Sequence, residues 1–314
     1  MAFLGIEIGG TKLQVAVVSA AGVVTATARG AVAAASGAAA VLDVVERLVA
    51  EAVPLAREPL EAVGIGFGGP VDRVRGTVAA SHQVTGWSGF PLLSWVAERT
   101  GLPTTLENDS NAAALAEAVV GAGRGFHAVV YSNVGSGVGG GLVVGGRIYH
   151  GRVPGEMEIG HLRLAIDGPI VEDVVSGWSL DQQVRAVVEA NPHGGLALAA
   201  AGMPPSARCL GPAIAASDAE ATAIVDRAAR SYAFGLSHAV QLLNPDAIVL
   251  GGGVAGIGEP WRAAVAAHLH GFVVEALRPP PPVLLAALGD LVVPVGAALM
   301  AACFGDKGTH TGRT

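Results

Sequence analysis

Cysteine is nearly absent from this chain. Cys209 and Cys303 are the only two in 314 residues, and no C-x-x-C pair occurs. That excludes a disulfide framework and makes a reducing cytoplasm the expected compartment. Basic charge is also short: 19 Lys and Arg against 26 Asp and Glu leave a net charge of −7. A nucleic-acid partner needs a basic face for its phosphates, so none is expected. Unbroken apolar runs are missing too. Stretches such as "AVVYSNVGSGVGGGLVVGG" are interrupted by glycines and polar residues, so no spanning helix and no membrane partner are expected. The start, "MAFLGIEIGG", has no basic region before its apolar residues, and no signal peptide is read there. Aromatics make up only 4% of residues, although half the chain is hydrophobic. The excess is Ala, Val, Leu and Gly, which suits helices packed closely on a sheet.

The length allows two domains of ordinary size. "FLGIEIGGTKLQVAVVSAAGVVTATA" reads as strand, glycine turn, strand, turn and third strand. Residues 38–53 follow with helical periodicity, and "LEAVGIGFGGPVD" is a strand ending in glycines. "PLLSWVAERTG" is a helix, "LPTTLEND" a strand and "SNAAALAEAVVGAG" a helix stopped by glycines. The pattern then restarts: "HAVVYSNVGSGVGGGLVVGGRIYHG" is again strand, glycine turn, strand, turn, short strand. The later chain is mostly helical and closes with the strand "DAIVLGGG" and the helices "EPWRAAVAAHLH" and "VGAALMAACFG". Two similar α/β domains are expected, at 1–112 and 113–293. Helix 294–305 is expected to pack on the first domain, with a flexible tail at 306–314.

Three glycine loops punctuate this plan: "GGTK" at 9–12, "GSGVGGG" at 135–141 and "GGGVAG" at 251–256. Without a Cβ the backbone can approach an anion and point consecutive N–H groups at phosphate oxygens. Gly135, Gly137 and Gly140 satisfy G-x-G-x-x-G, as do Gly64, Gly66 and Gly69, and Gly251, Gly253 and Gly256. A dinucleotide fold needs that motif between strand and helix in a βαβ unit. The 135 loop enters a hairpin, the 64 loop enters a turn, and too little chain follows the 251 loop. No G-x-x-x-x-G-K-[ST] occurs, which excludes a P-loop protein. Two glycine hairpins heading two similar domains fit nucleotide phosphates held in an interdomain cleft, with the third loop beside the base or ribose.

Three polar clusters stand in apolar surroundings: "END" at 107–109, "EMEIGH" at 156–161 and "VEDVVSG" at 171–177. Each has a purely structural reading. Asn108 or Asp109 would cap the following helix, Glu158 and His161 would lie on an exposed loop, and Glu172 would be a first-turn acid. Together with the glycine loops, however, the chain resembles the ROK family of sugar kinases and sugar-responsive repressors. The resemblance rests on "IEIGGTK", "GIGFGGPVD", "SHQVTGW", "ENDSNAAALAE", "NVGSGVGGGLV", "EIGH", "EDVVSGWSL" and "NPDAIVLGGGV", in the family's order.

The resemblance implies a two-domain actin/hexokinase-like (ribonuclease H-like) α/β fold and an ATP-dependent hexose kinase acting with Mg²⁺. Glucose is the first-choice substrate and its 6-hydroxyl the acceptor; N-acetylmannosamine, mannose, fructose or allose, and polyphosphate as donor, are the alternatives. A homodimer is the implied assembly. Asp109 matches the general base, and Asn108, Gln83, Glu158, His161 and Glu172 match side chains that hold sugar hydroxyls, with the backbone of Gly68 and Gly69 close to the sugar. Glu7, Gly9, Gly10, Thr11 and Lys12 look like the first phosphate loop, Gly135, Ser136, Gly137 and Gly139 like the second, and Gly251, Gly252 and Gly253 like the third. Four departures stand out. Glu7 replaces the usual Asp that helps place a hydrated metal, Gly68 replaces a Pro, and His82 and Gln83 replace Pro-Asn. The C-x-C-G-x-x-G-C zinc segment is missing, so no structural zinc is expected and His161 is left to the sugar. The rival reading is a sugar-sensing repressor, which carries a helix-turn-helix before the first glycine loop; here that loop begins within ten residues. A silent sugar-binding protein is a third reading, which Asp109 counts against.

Overall fold

The structure is a computed structural model that describes residues 1–10, 12–32, 37–79, 86–153, 155 and 157–305. Its internal packing divides it into two units. The first comprises Met1–Gly125, Gly141–Glu156 and the chain from Leu288; the second comprises Phe126–Gly140 and Met157–Ala287.

In the first unit, β1 (Ala2–Ile8), β2 (Lys12–Ser19) and β3 (Val24–Ala31) form an antiparallel meander. β4 (Leu60–Phe67) and β7 (Thr104–Asn108) run parallel to β1, giving the order β3-β2-β1-β4-β7. β1 is buried along its whole length, as its apolar run requires, whereas the edge strand β3 alternates buried and exposed positions. α1 (Gly37–Ala52) packs on β2 and β3, and α2 (Leu92–Thr100) packs on β7. A two-stranded hairpin, β5 (Val71–Asp72) with β6 (Thr77–Val78), follows β4. α3 (Asp109–Val119) begins where β7 ends.

α10 (Val292–Gly305) lies against β1, β4 and α3. It is apolar on all sides, as a helix enclosed on all sides must be. Its approach is so close that a Cβ on Gly5 or Gly64 would run into the carbonyls of Pro294 or Ala297. In return, a Cβ on Gly296 would run into the carbonyl of Ala112. Glycine is therefore required at all three contacts.

In the second unit, β11 (Ala247–Gly251) runs parallel to both β8 (Ala128–Val134) and β12 (Val283–Leu285). β9 (Val138–Val144) follows the glycine turn after β8; from Gly141 on it belongs to the first unit, where its far end pairs with β10 (Arg147–Ile148). β12 escapes a reading from sequence because three apolar residues after four prolines show no strand periodicity. The 25-residue α8 (Ala219–Leu243) is the longest helix described; Asp218 caps its start through a bond from Ala221 N at 2.7 Å. It packs on α9 (Glu259–Phe272), where Tyr232 stacks on Trp261 with centroids 5.6 Å apart. α4 (Val171–Val175) also packs on α8, and α5 (Gly177–Ala190) follows it directly.

Candidate active site

Most of the first unit's predicted residues converge where β1, β4 and β7 end. Gly9 N donates to Lys12 O at 3.0 Å, which closes the β1–β2 turn around Gly10; Thr11 lies outside the described residues. Gly68 N donates to Ile8 O at 2.8 Å, so the chain after β4 is held against the end of β1. A Cβ on Gly68 would sit 3.3 Å from both the Asp109 Oδ2 and the Gly9 Cα. Even a methyl group would be tight there, so glycine lets this backbone pass beside the Asp109 carboxylate. Gly69 O accepts from Asn108 Nδ2 at 3.2 Å.

The structure also decides which residue starts α3. Asn108 is the N-cap: its backbone is extended, and its Oδ1 accepts from Ser110 N at 2.8 Å and Asn111 N at 3.2 Å. Asp109 is the first helical residue, with Oδ1 accepting from Ser110 N at 2.7 Å. Capping therefore does not account for Asp109, whose Oδ2 points toward Gly68.

Glu7 is 8% exposed and faces Gln14 across the β1–β2 pair. Gln14 Nε2 donates to Glu7 Oε2 at 2.5 Å and to Asp290 O at 2.7 Å. Lys12 Nζ lies 3.7 Å from Glu7 Oε2 and donates to Asp290 O at 2.9 Å. Burial pushes the Glu7 carboxyl up to about 7; Lys12 and the Gln14 bond hold it down in part, and the charges of Asp109 and Asp290 add to the rise. Gln14 and Asp290 were not read from the sequence. Gln14 carried a faint signal as a polar residue inside an apolar strand, while Asp290 carried none.

In the second unit, the glycine turn after β8 is tightened by Gly135 N donating to Gly137 O at 2.8 Å. Gly177 N at the start of α5 donates to Gly135 O at 2.7 Å. Glu172, on α4, is neither a bare helix-end acid nor remote from this loop. Its Oε2 accepts from Val138 N at 2.7 Å, and a Cβ on Gly137 would come within 2.6 Å of it. Ser136 is exposed, and Gly139 O accepts from Ser132 Oγ at 2.9 Å. Gly251 pairs with Asn133, two residues before this loop, so the third glycine segment starts beside the second. Gly252 has φ +80°, and its missing Cβ makes room for the Val134 backbone; Gly253 faces open space. Glu158 and His161 are exposed at the two ends of one helical turn, with His161 N donating to Glu158 O at 3.0 Å. Gln83 lies outside the described residues. Among the described residues no three His, Cys, Asp or Glu side chains group to hold a metal ion, and no helix is long and apolar enough to cross a membrane.

The profile of the ROK family matches residues 3–303 of this sequence. The chain belongs to the ROK family. The glucokinase of Streptomyces coelicolor is 31% identical over 313 residues, covering 95% of this chain and 96% of that protein. The crystal structure of a ROK family glucokinase from Streptomyces griseus in complex with glucose and AMPPNP superposes with a TM-score of 0.86 at 31% identity. It covers 96% of this chain and 100% of that one. A ROK family transcriptional regulator, homologous to the E. coli MLC protein, superposes at 0.84 with 21% identity, covering 97% of this chain and 78% of that one; this likeness is one of fold. The fold is thus the actin/hexokinase-like α/β fold of ROK proteins.

Proposed function

We propose that this ROK protein is an ATP-dependent hexose kinase that transfers the γ-phosphoryl group to the 6-hydroxyl of glucose. The observation that carries the reading is the division of labour at the start of α3. Asn108 caps the helix, and the Asp109 Oδ2 faces the Gly68 backbone at a point where even a methyl group would be tight. A carboxylate set beside backbone that carries no side chain suits a hydroxyl that must lose its proton.

In this reading Asp109 orients the 6-hydroxyl and accepts its proton. An ordinary carboxylate suffices, because in a loose transition state the proton leaves late. Asn108 and Gln83 hold neighbouring hydroxyls, as do Glu158, His161 and Glu172, since ionised carboxylates accept from two hydroxyls at once. The main-chain N–H groups of the three glycine segments, with Lys12, take the phosphates. Mg²⁺ would arrive with ATP. Such an ion takes one or two carboxylates, keeps several waters and binds phosphate oxygens. Glu7 and Asp109 lie near enough for the charge of Asp109 to raise the pKa of Glu7, and two carboxylates so placed suit a water-bridged ion. When bound, it neutralises phosphate charge. A cytoplasmic homodimer completes the proposal.

Two experiments test it. A coupled assay across a hexose panel with ATP and Mg²⁺ should show glucose turned over best; no turnover on any hexose would leave the sugar-sensing role instead. Asp109→Asn should melt like the parent, because Asn108 is the cap, and should bind sugar nearly as well. Its kcat should fall by roughly 10²–10⁴-fold, the usual worth of a positioned acid or base. A near-parental kcat would remove Asp109 from the mechanism.

A further inference from the structure

Glu107 sits one residue before the cap of α3 and is 3% exposed. Burying a carboxylate is costly unless it is paired and hydrogen-bonded. The bonds that satisfy it run to the turn carrying Asp109 and to His150. Glu107 Oε1 accepts from Asn108 N at 2.9 Å and from Asn111 Nδ2 at 3.1 Å. Glu107 Oε2 meets His150 Nε2 at 2.6 Å, the one ion-pair contact of Glu107 among the described residues. A carboxylate only accepts, so this imidazole nitrogen carries the proton.

His150 is itself fixed in place. It follows β10, and the preceding Tyr149 N donates to Leu142 O at 2.7 Å. Gly141, at the start of the same segment, lets β9 lie against α3: a Cβ there would come within 2.9 Å of Asn111 Oδ1. The segment that brings His150 to Glu107 is therefore docked on the helix that starts at Asp109.

We infer that His150 is a positioning residue: through Glu107 it fixes the Asn108–Asp109 turn, and so sets where Asp109 meets the acceptor hydroxyl. The inference rests on the kinase reading for its consequence in turnover, though not for the positioning itself. Without the imidazole, one oxygen of a buried carboxylate has no donor among the described residues. The carboxylate then turns toward water and releases Asn108 N and Asn111, and Asp109 loses its setting. A displacement of about 1 Å at such a group costs on the order of 10²-fold in rate.

The test uses His150→Ala, His150→Gln and Asp109→Asn in the full chain, read by steady-state kinetics and by hydrogen exchange of the amides of Asn108, Ser110 and Asn111. His150→Met, which keeps volume but has no donor, replaces His150→Ala should the latter not fold. The donor-less variant should lose roughly 10–100-fold in kcat with the KM for ATP within twofold, and exchange of the three amides should accelerate. His150→Gln, whose amide donor reaches the same carboxylate, should restore both. An unchanged exchange pattern overturns the inference. So does an unchanged kcat in a protein whose Asp109→Asn variant is inactive, and that result leaves the kinase reading standing. Should the parent phosphorylate no hexose, the kinase reading fails and exchange alone decides the positioning: faster exchange upholds it and unchanged exchange ends it.

Discussion

Replacing Glu7 by Gln changes the pH at which this protein is most stable. The carboxyl is held at about 7 in the folded chain against an ordinary 4.5, chiefly because it is buried. A carboxyl raised on folding contributes full stability below its unfolded pKa, and the contribution is lost as pH rises through the folded value. Between pH 4.5 and 7 the parent therefore gives up stability that a neutral side chain keeps. The loss amounts to about 3 kcal/mol above pH 7, at about 1.4 kcal/mol for each tenfold change in proton affinity. Gln preserves the geometry, since its Oε1 can still accept from Gln14 Nε2. Lys12 keeps Asp290 as a partner at 3.5 Å. The assay is thermal melting of both proteins from pH 4 to 9, taken as a difference so that every other titration cancels. The two should melt together near pH 4. Glu7→Gln should then gain steadily, and above pH 7 hold a constant lead of roughly 5 °C for a chain of this size. A difference that stays flat between pH 5 and 8 would refute the buried-carboxyl argument, whatever the absolute melting temperatures.

The contact of Glu172 with the second glycine loop predicts that Glu172→Ala raises the KM for ATP as well as that for hexose, each about tenfold, the worth of one charged hydrogen bond. Glu172→Gln, which keeps an acceptor for Val138 N, should recover the ATP value alone; an unaltered ATP KM in the Ala variant would detach Glu172 from the loop. Gly64→Ala forces a methyl into the Ala297 carbonyl and should cost about 3 kcal/mol or more, read as a lower urea midpoint; an unshifted midpoint would mean α10 moves away without penalty. Purified protein should carry no stoichiometric zinc, because a structural site needs four ligands and no three His, Cys, Asp or Glu side chains group among the described residues; about one zinc per chain by elemental analysis would contradict this.

The strands of the first meander and the helix at 38–53 were legible because period, glycine turns and length agree at each of them. α3 was legible as a helix, yet its cap was not, since Asn and Asp cap equally well and stand side by side at 108 and 109. Only the extended backbone of Asn108 and its two accepted bonds separate them. The setting of Glu7 was hidden for a different reason. Its partner Gln14 belongs to the neighbouring strand, but the carbonyl that holds Gln14 comes from Asp290, 276 residues further along. No periodicity reports a bond of that span. Glu107 was visible as part of "END" without a role, because its partner His150 is brought to it by the docking of β9 and β10 rather than by any motif.

The closeness of α10 to β1 and β4 has a consequence for the order in which the protein is made. The sheet face bearing Gly5 and Gly64 is shaped for a helix backbone rather than for side chains, and that helix is translated roughly 220 residues after β4. At about 5–20 residues per second, the face waits on the order of 10–45 s for its cover. During that interval the nascent first unit presents an apolar groove whose fitted occupant does not yet exist. A chain terminated before residue 292 would keep that groove open permanently, which makes the truncated product a natural client for a chaperone, even though its β strands and glycine loops are all complete.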